Sequence, residues 1–276
     1  MQIINDPAPW WSGLDGSLTI VDLLVRGTIP AKPAALLWWT LERGASLLTA
    51  GGPSGAGKTT LANAALSFLP DAARVYVMSG ADDPLAVPNA NGPSILLITE
   101  LSAHGRPTYV AGPAARRAFA LLARGWRIVG TLHADSVAEA VDDLYGEVGL
   151  TGEDITQPAV VAIIRVMNHP PERGRFPRGE SDLERRVVEV GLLEPTQTGV
   201  RVVDLSTWNP ASGRLDNAVP PAGVAALAAW AGMETVAVEA ALADRAAALD
   251  QLCRDGRHDR DEVAAAVRRF REQTGS

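Results

Sequence analysis

One lysine, two threonines and a set of glycines in the run Gly52-Pro-Ser-Gly-Ala-Gly-Lys58-Thr59-Thr60 have the residue types and offsets needed to hold phosphate. Glycine-rich backbone between a strand and a helix can wrap its N–H groups around phosphate oxygens, and the helix turns its positive N-terminus to the same anion. Ser54, Gly55, Ala56, Gly57 and Thr60 form that cradle with Lys58 and Thr59. Lys58 adds a point charge at the β- and γ-phosphates, and Thr59 a hydroxyl for Mg2+. The chain has only two lysines, Lys32 and Lys58, and arginine fills the other basic positions. A lysine in this loop is explained by a task that suits a compact ammonium better than a planar guanidinium. Downstream, Glu100 follows the apolar run Ser94 to Thr99, where a carboxylate can polarise water or hold magnesium through it. No aspartate precedes it; Ile98 and Thr99 do. His133, in Thr131-Leu-His-Ala-Asp-Ser136, ends the next apolar run, within reach of the same crevice. The bland readings are a glycine-rich turn, a surface acid at a strand end and a structural histidine.

These residues need a sheet with their ends on one edge. Ala45 to Ala50, Arg74 to Met78, Ser94 to Thr99 and Arg127 to Leu132 are short apolar runs that predict strands. Leu61 to Leu69, Tyr109 to Arg124 and Val137 to Tyr145 have helical periodicity, and Gly80 to Pro93, with Asp82, Asp83 and three prolines, predicts a loop. Two helices between Ser17 and Arg43 precede the first strand. Alternation of this kind predicts a mostly parallel sheet with helices on both faces and a ligand at the carboxyl ends of the strands. From Val160 the runs VVAIIRVM, RRVVEVGLL and GVRVVDLSTW predict antiparallel strands that extend the sheet, around the Arg/Pro-rich turn Asn168 to Gly179. Asp216 to Pro221 reads as a linker. The expected organisation is an irregular lead-in at 1–16 containing Trp10 and Trp11, a P-loop domain at 17–215 and a helical appendage at 222–276. In that appendage Leu242, Ala246, Leu249 and Leu252, then Val263, Val267 and Phe270, recur at helical spacing.

Bulk properties exclude several classes. The chain of 276 residues is 47% hydrophobic and 21% charged with a net charge of −7, which argues for a globular protein and against a mainly electrostatic binder of nucleic acid. The lone cysteine, Cys253, excludes an internal disulfide. No apolar run approaches a transmembrane span, and the start has no basic n-region. The expectation is a soluble cytoplasmic protein.

From about Ser17 to Arg201 the chain resembles the motor domain of the type II/type IV secretion and pilus assembly ATPases, hexameric P-loop proteins with a RecA-like core. The P-loop Gly52 to Thr60 matches; Glu100-Leu101 resembles their glutamate-bearing Walker B segment, and Thr131 to Ser136 their His box. VVAIIRVM and RRVVEVG are similar to the strand pair that closes that domain. The tail from Ala241, with Arg245, Leu249 and Asp261-Glu-Val, resembles the C-terminal helices of tight-adherence and archaeal members. The resemblance implies an α/β, RecA-like domain with an antiparallel extension and helical appendage, ATP and Mg2+ as ligands, and turnover coupled to movement in a homo-oligomeric ring. It implies that Glu100 positions the attacking water and His133 senses the γ-phosphate. Ser102, Ala103 and His104 stand where the family has an arginine and an aspartate after the glutamate, and only Asp82 and Asp83 offer a counterpart to its Asp box. The family's arginine-bearing N-terminal domain has no counterpart before Ser17, so the expectation is that a partner protein supplies that half or that the assembly lacks it, with a membrane platform as a further candidate partner at the inner face of the membrane.

Two other readings stand beside the motor. One is a degenerate nucleotide-binding scaffold for another ATPase, favoured by the residues after Glu100. The other is a P-loop small-molecule kinase, for which Arg173 to Arg178 is the candidate lid.

Overall fold

The computed structural model describes residues 2–3, 18–52, 55–167, 183–215 and 218–275. Trp10 and Trp11 of the lead-in, Ser54, the turn Asn168 to Gly179 with its candidate lid, and Asp216 at the start of the linker lie outside the described residues. In chain order the elements are β1 (Gln2–Ile3), α1 (Ile20–Val25), α2 (Ala31–Glu42), β2 (Ser46–Ala50), α3 (Lys58–Ala65), β3 (Arg74–Val77), β4 (Ser94–Leu101) and β5 (Tyr109–Val110). They continue with α4 (Gly112–Phe119), β6 (Arg127–Leu132), α5 (Val137–Gly146), β7 (Ala159–Val166), β8 (Arg185–Thr196), β9 (Gly199–Asn209), β10 (Arg214–Leu215), α6 (Pro221–Ala231), α7 (Thr235–Arg254) and α8 (Arg260–Thr274).

The strands form one sheet in the order β1-β3-β4-β6-β2-β7-β8-β9-β10, with β5 beside β4. Pairs from β1 to β7 are parallel, and β8, β9 and β10 join antiparallel. The chain is therefore an α/β protein with a mostly parallel central sheet, an antiparallel part and C-terminal helices. Three expectations need correction. The run from Val160 is parallel to β2 and antiparallel only to β8, so it closes the parallel core and does not begin the extension. Buried on both faces, it has the same apolar signature in either direction. Tyr109 and Val110 pair with Glu100 and Leu101 as a two-residue strand, and the helix begins only at Gly112. Glu100 lies inside β4, which runs on to Leu101 across an irregularity in its register with β6.

The sheet's two faces bury different sets. Leu47, Leu97, Val129 and Ala162 join α2, α3, α7 and α8 in one cluster, whereas Leu48, Leu96, Ile98, Ile128 and Val161 join α4 and α5 in the other. Neighbouring residues point to opposite faces because the side-chain period of a strand is two. Local signals set several helix starts. Thr19 and Asp22 form a reciprocal capping box on α1, Ser136 accepts the Glu139 N–H at the start of α5, and Asp259 accepts two N–H groups of α8. Among the described residues no single helix is long and apolar enough to cross a membrane.

Candidate functional site

β2 lies between β6 and β7, and β6 separates it from β4, so the chain segments leaving β2 and β6 and the end of β4 stand side by side at one edge. At that edge β2 gives way to Gly51, where a Cβ would lie 2.4 Å from the Ile164 carbonyl oxygen; only glycine passes under β7 there. Gly57, with φ of 105°, caps α3 without a side-chain hydrogen bond, so the first N–H groups of the helix face outward. A Cβ on Gly57 would press on Ile164 and Arg185 as well. The buried Thr49 hydroxyl donates to the Lys58 carbonyl at 3.0 Å and ties the first turn of α3 to β2.

Three predicted residues meet here. Lys58 is buried, and its Nζ donates to the Gly51 carbonyl at 3.1 Å. It lies 3.1 Å from His133 Nδ1 and 3.8 Å from Glu100 Oε1. His133 Nδ1 is 2.5 Å from the Gly52 carbonyl oxygen, which marks Nδ1 as the protonated nitrogen and makes the Lys58 approach a contact. The other ring nitrogen faces Glu100 Oε1 at 3.6 Å. Glu100 Oε2 takes a 2.7 Å hydrogen bond from the Thr131 hydroxyl, whose single proton is shared with the Thr99 carbonyl at 2.5 Å. Glu100 Oε1 is buried and has no hydrogen-bond partner among the described residues. Oε1 thus sits between an ammonium and an imidazole, each just beyond hydrogen-bond distance. Burial pushes the Lys58 ammonium below its usual pKa, against the opposing pull of Glu100 and Asp135.

Gly55, Ala56, Gly57, Lys58, Thr59 and Thr60 line a cavity of about 380 Å³ together with Glu100 and His133. Its volume falls in the range of small-molecule sites. The chemistry of the donors fits a magnesium nucleotide. Thr59 offers a hydroxyl and Glu100 a carboxylate, and the described residues contain no cluster of three or more His, Cys, Asp or Glu able to hold a metal alone. Magnesium would need the phosphates of its nucleotide to complete its oxygen shell.

Sequence reasoning missed four participants. Arg26, Arg106 and Arg185 line the same cavity, and the Asp135 carboxylate accepts the Gly52 N–H at 3.1 Å. Arg185 and Arg186 are adjacent on β8, and strand alternation is the signal that sends only one of them to the cradle. The other acidic and histidine candidates are occupied elsewhere. Asp83 accepts from the Ser79 N–H and hydroxyl, the Leu85 N–H and the Tyr76 hydroxyl, which makes it the organiser of its own loop, and Asp82 is exposed. Ser102 donates to Glu147 at 2.6 Å, with His104 Nδ1 2.6 Å from the same hydroxyl. Burial raises the Glu147 carboxyl, and hydrogen bonds from Ser102 and the Ala103 N–H, with the charges of His104 and His133, outweigh it and hold it below the usual range.

No family model matches this sequence, and no curated protein matches it. Among solved structures the chain is similar to the VirB11 ATPase from the Brucella suis type IV secretion system in complex with sulphate, at 17% identity and a TM-score of 0.38 over 66% of this chain and 55% of that one. It is similar also to the Legionella pneumophila ATPase DotB, at 15% identity and a TM-score of 0.36 over 59% of this chain and 49% of that one. The chain thus spans about half the length of each structure. At these values neither likeness bears on the chemistry of the site, which rests on its own geometry.

Proposed function

We propose that this chain binds Mg-ATP and hydrolyses it, as the motor of a secretion or pilus assembly machine. The observation that carries the reading is the buried Glu100 carboxylate at the end of a P-loop cavity, its Oε1 3.8 Å from Lys58 and 3.6 Å from His133 and without a hydrogen bond among the described residues. The N–H groups from Gly55 to Thr60 and the Lys58 ammonium hold the β- and γ-phosphates, and the Thr59 hydroxyl is the magnesium ligand. Magnesium bound there neutralises charge that develops on the phosphate oxygens. Glu100 Oε1 accepts a hydrogen bond from the attacking water and aims its oxygen at the γ-phosphorus. As the new P–O bond forms, the bond to the β-phosphate oxygen breaks, and the water proton passes by way of Glu100 to the released phosphate. His133, with Nδ1 held by Gly52, turns its other nitrogen to the same water and responds to the presence of the γ-phosphate.

In this reading turnover drives movement in a homo-oligomeric ring, a hexamer, at the cytoplasmic face of a membrane, held there by a partner platform. Steady-state hydrolysis tests it. Lys58→Ala removes nucleotide binding, and Glu100→Gln keeps binding while turnover falls by about 10²- to 10⁴-fold. Hydrolysis that survives both changes ends the assignment. One observation favours the scaffold reading: Ser102 and His104, which follow Glu100, pair with Glu147 and do not line the cavity. Binding with no turnover by the unmodified chain would establish that reading instead.

A further inference from the structure

Arg26 and Arg185 reach the phosphate cavity from different elements, Arg26 from the turn after α1 and Arg185 from the first residue of β8. Arg185 is anchored on the cradle itself. Its Nε donates to the Gly55 carbonyl at 3.2 Å and its Nη1 to the Leu183 carbonyl at 3.3 Å. The turn carrying Arg26 is stitched to the same strand, because Arg186 Nη1 donates to the Arg26 carbonyl at 3.2 Å and the Val187 N–H donates to the Thr28 carbonyl at 2.7 Å. One strand therefore holds both walls. Arg185 points to the cradle, and Arg186, one residue on, points to the Arg26 turn.

The charges are arranged against themselves. No carboxylate among the described residues forms an ion pair with Arg26 or Arg185. Burial lowers the Arg185 guanidinium from its usual pKa and the neighbouring Arg26 charge lowers it further. Two guanidiniums held close, beside an ammonium and an open helix N-terminus, repel one another until an anion sits among them. A guanidinium presents a fork of donors that matches phosphate oxygens, which an ammonium cannot do.

We infer that Arg26 and Arg185 form a paired clamp on the polyphosphate of the bound nucleotide, supplied by this chain to its own P-loop. The inference rests on the nucleotide reading above and goes beyond it. The site then needs no arginine from a partner to bind its ligand, and affinity is a property of the single chain.

Binding of ATP, GTP and inorganic tripolyphosphate to the full chain, by calorimetry at a concentration where light scattering reports a monomer, tests this against Arg26→Gln, Arg185→Gln, the double variant and Arg185→Lys. Each glutamine variant weakens all three ligands by about tenfold. The double variant loses less than the product of the two, because removal of one cation relieves the other. Arg185→Lys recovers part of the loss, which separates lost charge from a misfolded strand. Affinities unchanged in the glutamine variants, with binding still abolished by Lys58→Ala, overturn the clamp and leave the P-loop reading intact. A loss seen for ATP and GTP and absent for tripolyphosphate overturns it too, by placing the arginines on the base or ribose. A wild-type chain that binds none of the three overturns both readings.

Discussion

Glu42 and Glu100 are equally buried, each with 8% of its side chain exposed, and each faces cations, yet one is saturated and the other is not. Glu42 Oε1 accepts from Trp38 Nε1 and Arg271 Nε, both at 2.6 Å. Its Oε2 accepts from Arg245 Nε at 3.0 Å and Nη2 at 2.5 Å. Arg245 is 3% exposed, and its guanidinium lies over the rings of Trp38 and Phe270. That cluster ties α7 and α8 to α2, the helix that leads into the P-loop strand. Glu100 has an ammonium and an imidazole beside Oε1 that stop short of hydrogen bonding, and that oxygen accepts no hydrogen bond among the described residues. A buried carboxylate with every lone pair engaged holds elements together, whereas one less fully engaged at the wall of a cavity is, in the proposed reading, kept for chemistry.

The sharpest way to break the comparison is to remove a partner on each side. Arg245→Ala leaves Glu42 buried with half its donors gone and is expected to cost about 3–5 kcal/mol of folding stability. Glu100→Gln keeps the shape and the Thr131 hydrogen bond and loses only the looser pairing with Lys58 at 3.8 Å, and chemical denaturation should show a clearly smaller loss than Arg245→Ala. Equal losses in the two variants would make Glu100 a structural residue.

Asp83 is a third buried carboxylate, close in sequence to the site and saturated like Glu42. Burial raises its carboxyl, and the hydrogen bonds from Ser79, Leu85 and Tyr76 outweigh that and hold it below the usual carboxylate range. A carboxyl lowered on folding stabilises fully above its unfolded value, and the contribution is lost as pH falls through the lower folded value. Tyr76 is pushed up to about 12, by burial first and then by its bond to Asp83, so its share is full below pH 10 and lost as pH rises through 12. Asp83→Asn should cost about 1–3 kcal/mol at neutral pH and flatten the stability profile below about pH 4, while ATP affinity stays unchanged. A large fall in turnover would instead make Asp83 part of the site.

The contrast also separates what a sequence reveals from what it withholds. The strand–loop–helix order around Lys58 was legible because its parts are local, and the placement of Glu100 and His133 beside it because each follows an apolar run. Arg127 to Leu132 appears in the fold with the boundaries its pattern predicts. The direction of β7 was hidden, since a run buried on both faces reads alike in parallel and antiparallel pairing. The Glu42 cluster joins residues 203 and 229 positions apart, and the three cavity arginines come from three distant segments. Charged side chains brought together by topology leave no periodic trace. Only alternation along β8 distinguishes Arg185 from Arg186.

The finest test of Glu100 acts through its one side-chain hydrogen bond among the described residues. Thr131 sits in β6, between the strand that leads to Lys58 and the strand that bears Glu100, and is fully buried. Its hydroxyl holds Oε2, which leaves Oε1 on the side of Lys58 and His133. Thr131→Val keeps the shape and removes the donor, at a cost of about 1 kcal/mol in stability. With Glu100 no longer aimed, kcat should fall by about threefold to tenfold and KM should hold, because the phosphates bind through the cradle and Lys58. Thr131→Ser retains the hydroxyl and should retain kcat. A loss of equal size in the serine and valine variants would assign the effect to packing in β6, and a change in KM alone would move Glu100 from water positioning to nucleotide binding.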